Sequence, residues 1–355
     1  MNIAQYIRPD ILALTPYTSA RDEFDGKAAI YLDANENALD PLKLSYNRYP
    51  HPDYRELKIA IGQWRNVTPE RIFVGNGSDE AIDLLIRATC TPGKDAIMVL
   101  PPTYGMYAVQ AQIQGVRVKE VLLTPEFQPD VDAILKSATP DVRLLFLCSP
   151  NNPTGNTMDV ERVTALLRQF SGIVVVDEAY IDFADTTSWL QQLEKFPNLV
   201  VLQTFSKALG LAGIRLGMAF AHPEVVAVLN KIKYPYNVNR LTVQMALQAL
   251  GLQQAIQESI QQLRTQRKWL ASALQQMSGV RTIYPSQANF LLVEFQRARE
   301  VYQALQKKGI IVRDRSKLPR CQNCLRITVG TPKENHQLIQ ALQEILKENE
   351  TRIVY

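Results

Sequence analysis

Short apolar runs recur along this chain, separated by amphipathic segments, from about residue 30 to residue 220. Seven runs read as strands: residues 71–74, 96–100, 117–121, 143–147, 173–176, 199–203 and 215–220. Between most of them lie helix candidates such as 54–65, 78–89, 103–113 and 160–170. Strand–helix alternation on this scale predicts an α/β fold built on a wide, mostly parallel sheet. The pattern changes near Asn239. A helical stretch runs from there to about Met277 with a break at Gly251, followed by strands at 289–294 and 325–328 and helices at 298–308 and 332–348. This second region predicts a smaller α+β unit. The expected boundaries are an N-terminal arm over 1–34, a large domain over 35–245 and a small domain over 246–355.

Composition excludes several function classes. Lys plus Arg is 39 and Asp plus Glu is 35, so the net charge is 39 − 35 = +4. That excess is too small to predict nucleic-acid binding without a clustered basic face. No apolar run approaches the roughly 20 residues that span a bilayer, and no signal peptide is visible at the start. A cytoplasmic location, or an organelle stroma after removal of a transit peptide, is therefore expected. The four cysteines suggest no disulfide framework. Cys321 and Cys324 have the spacing of half a zinc site, but only three histidines exist to complete it, so no metal is expected.

The chemistry-bearing residues fall at predicted strand ends, where open α/β sheets place their ligands. In Gly75-Asn76-Gly77-Ser78-Asp79-Glu80 a strand gives way to a helix. Ser78 reads as its N-cap, and free N–H groups there suit a phosphate. A plain helix cap explains the same residues. Ser149-Pro150-Asn151-Asn152-Pro153-Thr154-Gly155 is either a connecting turn or a way to place an amide on a ligand. Ile173-Val174-Val175-Val176-Asp177-Glu178-Ala179-Tyr180 reads as a fully buried strand ending in a carboxylate. Asp177 then needs a cation or donor, which a pyridinium, an arginine or a cap could supply. Thr204-Phe205-Ser206-Lys207-Ala208 places a lysine at another strand end, where lost hydration lowers its pKa and frees the amine. A surface lysine is the alternative. Arg215 follows with a fork that matches phosphate.

Taken together, these motifs resemble the fold-type I pyridoxal-phosphate (PLP) aminotransferases, over nearly the whole chain. The histidinol-phosphate aminotransferase family is the nearer resemblance. It is carried by Leu14-Thr15-Pro16-Tyr17, Asp33-Ala34-Asn35-Glu36-Asn37, Asn47-Arg48-Tyr49-Pro50, Pro101-Pro102-Thr103-Tyr104-Gly105-Met106-Tyr107 and Leu325-Arg326-Ile327-Thr328-Val329-Gly330. The resemblance implies that Lys207 holds the cofactor as a Schiff base and that Asp177 pairs with its ring nitrogen. Tyr180 and Asn152 are implied at the ring hydroxyl and Tyr104 on the ring face. Gly77, Ser78, Asp79, Thr204, Ser206 and Arg215 are implied around the phosphate. Tyr49 is implied to reach the cofactor of a neighbouring subunit, so a homodimer with shared sites is expected. Arg326, Arg313, Tyr17 and Asn35 are implied on the substrate side, where one site must take a glutamate carboxylate and an amino phosphate in turn.

The implied reaction is transamination between L-histidinol phosphate and 2-oxoglutarate in histidine biosynthesis. A broader aromatic aminotransferase, a phospho-amino-acid decarboxylase and, remotely, a PLP-fold regulator are the alternatives. The chain departs from the family at Ala38, where Pro is common, at Arg240, where a small residue is usual, and in the loop 315–323 with Lys317, Arg320 and two cysteines. These departures bear on substrate preference.

Overall fold

A computed structural model of the chain describes residues 3–18, 20–21 and 29–351. All seven predicted strands of the first region form one sheet: β1 (Ile72–Asn76), β2 (Ala96–Val99), β3 (Arg117–Glu120), β4 (Val142–Cys148), β5 (Ile173–Asp177), β6 (Leu199–Thr204) and β7 (Leu216–Phe220). Their spatial order is β1-β7-β6-β5-β4-β2-β3, and only β7 runs against its neighbours. The carboxyl ends of β1, β4, β5 and β6 therefore share one edge.

The three central strands show why the sequence commits to this sheet. Successive residues on a strand point to opposite faces. Val174 and Val176 of β5 enter one core with Leu145, Leu147, Leu199 and Val201. Ile173 and Val175 enter the other with Leu144, Phe146, Val200 and Leu202. Both faces are covered, so an unbroken β-branched run is the composition that fits.

A second, antiparallel sheet has the order β10-β11-β9-β8, from β8 (Val280–Ile283), β9 (Phe290–Phe295), β10 (Arg313–Asp314) and β11 (Cys324–Thr328). The helices Gln253–Gln275, Ala298–Lys307 and Pro332–Thr351 accompany it. The sequence predicts β9 and β11. It misses β8 and β10, which are short and partly exposed and so carry no apolar run. Cys321 and Cys324 lie buried beside Leu292. Burial pushes their thiols up to about 11 and about 12.

One close approach fixes the site's edge. The helix after β1 spans Gly77–Thr89, with Asn76 at the cap position and no side-chain cap bond. This corrects the expected Ser78 cap, since Ser78 sits inside the first turn. The helix start rests on β7, and a Cβ on Gly217 would overlap the backbone of Gly77 and Ser78. Replacement Gly217→Ala is therefore expected to destabilise the protein by about 1–3 kcal/mol through overpacking. Urea unfolding measures this, and a wild-type midpoint would contradict it.

Candidate active site

A cavity of about 500 Å³ opens at the carboxyl edge of the large sheet. Gly77, Ser78, Asp79, Tyr104, Asn152, Asp177, Tyr180, Thr204, Ser206, Lys207, Arg215, Arg313 and Arg326 all line it. Thirteen residues singled out from sequence thus converge, from the ends of five strands and from the small sheet.

Asp177 closes β5 and is 3% exposed. Tyr107 donates its hydroxyl to Oδ2 at 2.6 Å, and the Ala179 N–H donates to Oδ1 at 3.0 Å. Burial still pushes this carboxyl up, against both hydrogen bonds. Neutral donors do not replace a countercharge in a low-dielectric site. A protonated ring nitrogen would.

Lys207 follows β6 in a turn closed by Gly210 N–H donating to its carbonyl at 3.2 Å. Its Nζ lies 5.7 Å from the centroid of the Tyr180 ring. Burial lowers its pKa, Arg326 and Arg215 lower it further, and Asp177 opposes them. A larger neutral fraction makes the amine a better nucleophile and base.

One part of the cavity lining is an anion cradle. The helix start at Gly77 supplies N–H groups and the positive end of its dipole. Arg215 donates to Ser206 Oγ at 3.4 Å and to Ala212 O at 3.3 Å. Its second nitrogen lies 3.7 Å from Asp79 Oδ2, and Tyr104 donates to Asp79 Oδ1 at 3.2 Å. Arg215 has φ +55°. Gly77 N–H donates to its carbonyl at 2.7 Å, which holds this strained residue in place. Thr204 plays a supporting part, since its hydroxyl donates to Leu216 O and accepts from Ser206 N–H.

The small sheet provides the third wall. Arg326 on β11 stands directly opposite Arg313 on β10. Like charges in register repel, so the pair calls for an anion at the two guanidinium groups. Arg326 donates to Asn152 Oδ1 at 2.5 Å and lies 5.4 Å from the Phe290 ring centroid. The two adjacent asparagines therefore divide their work. Asn152 faces the cavity, while fully buried Asn151 bonds Pro102 O and Thr154 Oγ1.

This donor set fits PLP: a cradle for its phosphate, a buried carboxylate for its ring nitrogen and an amine of lowered pKa. Lys207, Asp177, Asn152, Tyr180, Tyr104 and Arg215 would hold it.

Tyr17, Asn35 and Tyr49 are not brought to this cavity within one chain. They line a second groove, with Tyr17 76% exposed and Tyr49 52% exposed. Tyr49 stacks on Tyr236 with ring centroids 4.5 Å apart. Its backbone is pinned by Arg21, which donates to Tyr49 O at 2.9 Å, and by Glu36, which accepts from Tyr49 N–H at 2.5 Å. Arg21 itself is buried between Asp33 at 3.0 Å and Glu36 at 2.8 Å. Sequence reasoning assigned no role to Arg21, Tyr107 or Arg315. Nothing local marks Arg21. Tyr107 sits three residues beyond Tyr104 in a quoted motif, and Arg315 lies two beyond Arg313, the strand spacing that returns to one face.

Tyr107→Phe keeps the ring stacked on Phe146, whose centroid is 4.6 Å away, and removes only the hydroxyl. Losing one hydrogen bond to a charged group should raise the Kd for PLP about 10- to 100-fold. Titration of the apoprotein measures it, and an unchanged Kd would show that Asp177 needs no such support.

Comparison with known proteins agrees with the geometry. Residues 29–342 match the model of the aminotransferase class I and II family. A histidinol-phosphate aminotransferase of Christiangramia forsetii is 49% identical, covering 98% of this chain and 99% of the relative. Another, from Cytophaga hutchinsonii, is 52% identical over 95% of this chain and 97% of its own length. The crystal structure of histidinol-phosphate aminotransferase from Sinorhizobium meliloti in complex with pyridoxal-5'-phosphate superposes with a TM-score of 0.78 at 26% identity. That match covers 85% of this chain and 84% of the other. With a fold, a cavity and near full-length relatives in accord, the chain belongs to the class I and II aminotransferases and, within them, to the histidinol-phosphate aminotransferase family.

Proposed function

We propose that this chain is a PLP-dependent histidinol-phosphate transaminase of histidine biosynthesis. It moves an amino group between L-glutamate and imidazole-acetol phosphate, giving 2-oxoglutarate and L-histidinol phosphate. The observation that carries the reading is one cavity that joins Lys207 to the opposed arginines Arg313 and Arg326. A lysine without those arginines would suit many amine reactions. With them, the substrate must bring an anion, and curated relatives at 49% and 52% identity bear the name of this activity.

When bound, PLP supplies a sink for the electron pair released at the substrate Cα. The chain's residues do the rest. Arg326 and Arg313 receive the substrate anion by fork-like pairing. Lys207 Nζ would take the Cα proton as base and return a proton as acid. Asp177 would hold positive charge at the ring nitrogen, and Tyr180 and Asn152 would meet the ring hydroxyl. Gly77, Ser78, Asp79, Thr204, Ser206 and Arg215 would hold the phosphate, and Tyr104 would pack on the ring.

The working unit in this reading is a homodimer. Ile30, Leu32, Leu39, Leu42 and Leu44 are each at least 59% exposed, in the segment that also carries Asn35 and Tyr49. So many exposed apolar side chains in one segment suit an interaction surface. A second copy would cover it and receive Tyr49, Tyr17 and Asn35 at its own cavity. Domains at 35–245 and 246–355 and a cytoplasmic location belong to the same proposal. Among the described residues, no helix is long and apolar enough to cross a membrane. Sedimentation as a monomer at micromolar concentration would contradict the dimer.

The function is tested by amino transfer from glutamate to imidazole-acetol phosphate, phenylpyruvate and oxaloacetate in parallel. The expected result is the highest kcat/KM with imidazole-acetol phosphate. A preference for either other acceptor, or release of carbon dioxide without keto-acid dependence, would overturn it. Lys207→Ala should lose the absorbance of the covalently held cofactor and, from proton transfer alone, about 10²- to 10⁴-fold in rate.

A further inference from the structure

Three guanidinium groups, not two, line the substrate wall of the cavity. Arg315 stands with Arg313 and Arg326. It is tied to the small sheet beyond the end of β10, where its N–H donates to Cys324 O at 2.9 Å. Its Nε is buried, with no hydrogen-bond partner among the described residues. None of the three arginines makes an ion pair with a carboxylate among those residues. Burial, then Arg326 and Arg313, lower Arg315 to about 10, which leaves it cationic near neutral pH.

Gathering three like charges without a protein counter-ion is unfavourable. A carboxylate brings one negative charge and two oxygens, and a pair of forks can satisfy it. A phosphate monoester brings close to two charges near neutral pH and three acceptor oxygens. Only the second ligand leaves work for a third guanidinium. We propose that Arg315 is a specificity-determining residue, which makes the pocket favour a phosphate dianion over a carboxylate. The inference rests on the proposed reading of the cavity as the substrate site. It deepens that reading by separating the two anions that share the pocket.

The test uses the holoenzyme and two competitive inhibitors against glutamate: n-propyl phosphate as the dianion and glutarate as the dicarboxylate. Arg315→Gln keeps most of the aliphatic stem and removes the charge. Its inhibition constant for n-propyl phosphate should rise about 10- to 100-fold, the scale of a lost charge-assisted hydrogen bond, while that for glutarate changes less than about 3-fold. Arg315→Met, read by the same criteria, covers the case in which the Gln variant folds poorly. An unchanged constant for n-propyl phosphate, or equal rises for both inhibitors, would overturn the assignment. Neither inhibitor is itself turned over, so both constants report binding at the pocket. If the wild type fails to aminate imidazole-acetol phosphate yet Arg315→Gln selectively loses n-propyl phosphate, the substrate reading fails and Arg315's role stands.

Discussion

The structure turns on one buried carboxylate. Asp177 sits at the end of the central strand β5, 3% exposed, with a tyrosine hydroxyl and a backbone N–H as its partners. Burying an ionised group costs several kcal/mol unless its environment compensates. Three layers of the fold are arranged around this point. The flanking strands β4 and β6 bring Asn152 and Lys207 to the same edge. Tyr107, wedged between Phe146 and Tyr104, presents its hydroxyl. The cores on both faces of the sheet exclude water from beneath. A fold that buries an acid here is prepared for a cationic ring.

The charges that line the cavity fit such a ligand. The start of the helix Gly77–Thr89 and Arg215 favour an anion. Asp177 favours a cation. Arg313, Arg315 and Arg326 favour a further anion. Lys207 lies within this field, and its pKa falls because burial and two arginines outweigh the attraction of Asp177. The same electrostatics that suit such a ligand also raise the neutral fraction of this amine.

The large sheet was legible because its strands are buried on both faces and so appear as apolar runs. All seven are present, within a residue or two of the expected limits. The cavity was legible for a related reason: in this architecture chemistry collects at strand ends, and strand ends can be read. What sequence could not give has equally physical causes. Strands β8 and β10 are short and partly exposed and carry no pattern. The antiparallel placement of β7 is decided by tertiary packing, which local periodicity does not encode. Ser78 looked like a cap, but the helix starts at Gly77, whose backbone lies close against Gly217. The bond from Tyr107 to Asp177 joins residues 70 positions apart, beyond any local signal. Tyr17, Asn35 and Tyr49 were assigned through a resemblance, and one chain alone leaves them outside the cavity.

The central claim is that Asp177 is present to hold positive charge on the ring nitrogen of the cofactor. Nitrogen-15 NMR of holoenzyme reconstituted with ring-labelled PLP reads that protonation directly. A pyridinium signal is expected in the wild type at neutral pH, with a shift to the neutral-pyridine range in Asp177→Asn. A neutral ring nitrogen in the wild type, or no difference between the two proteins, would contradict it.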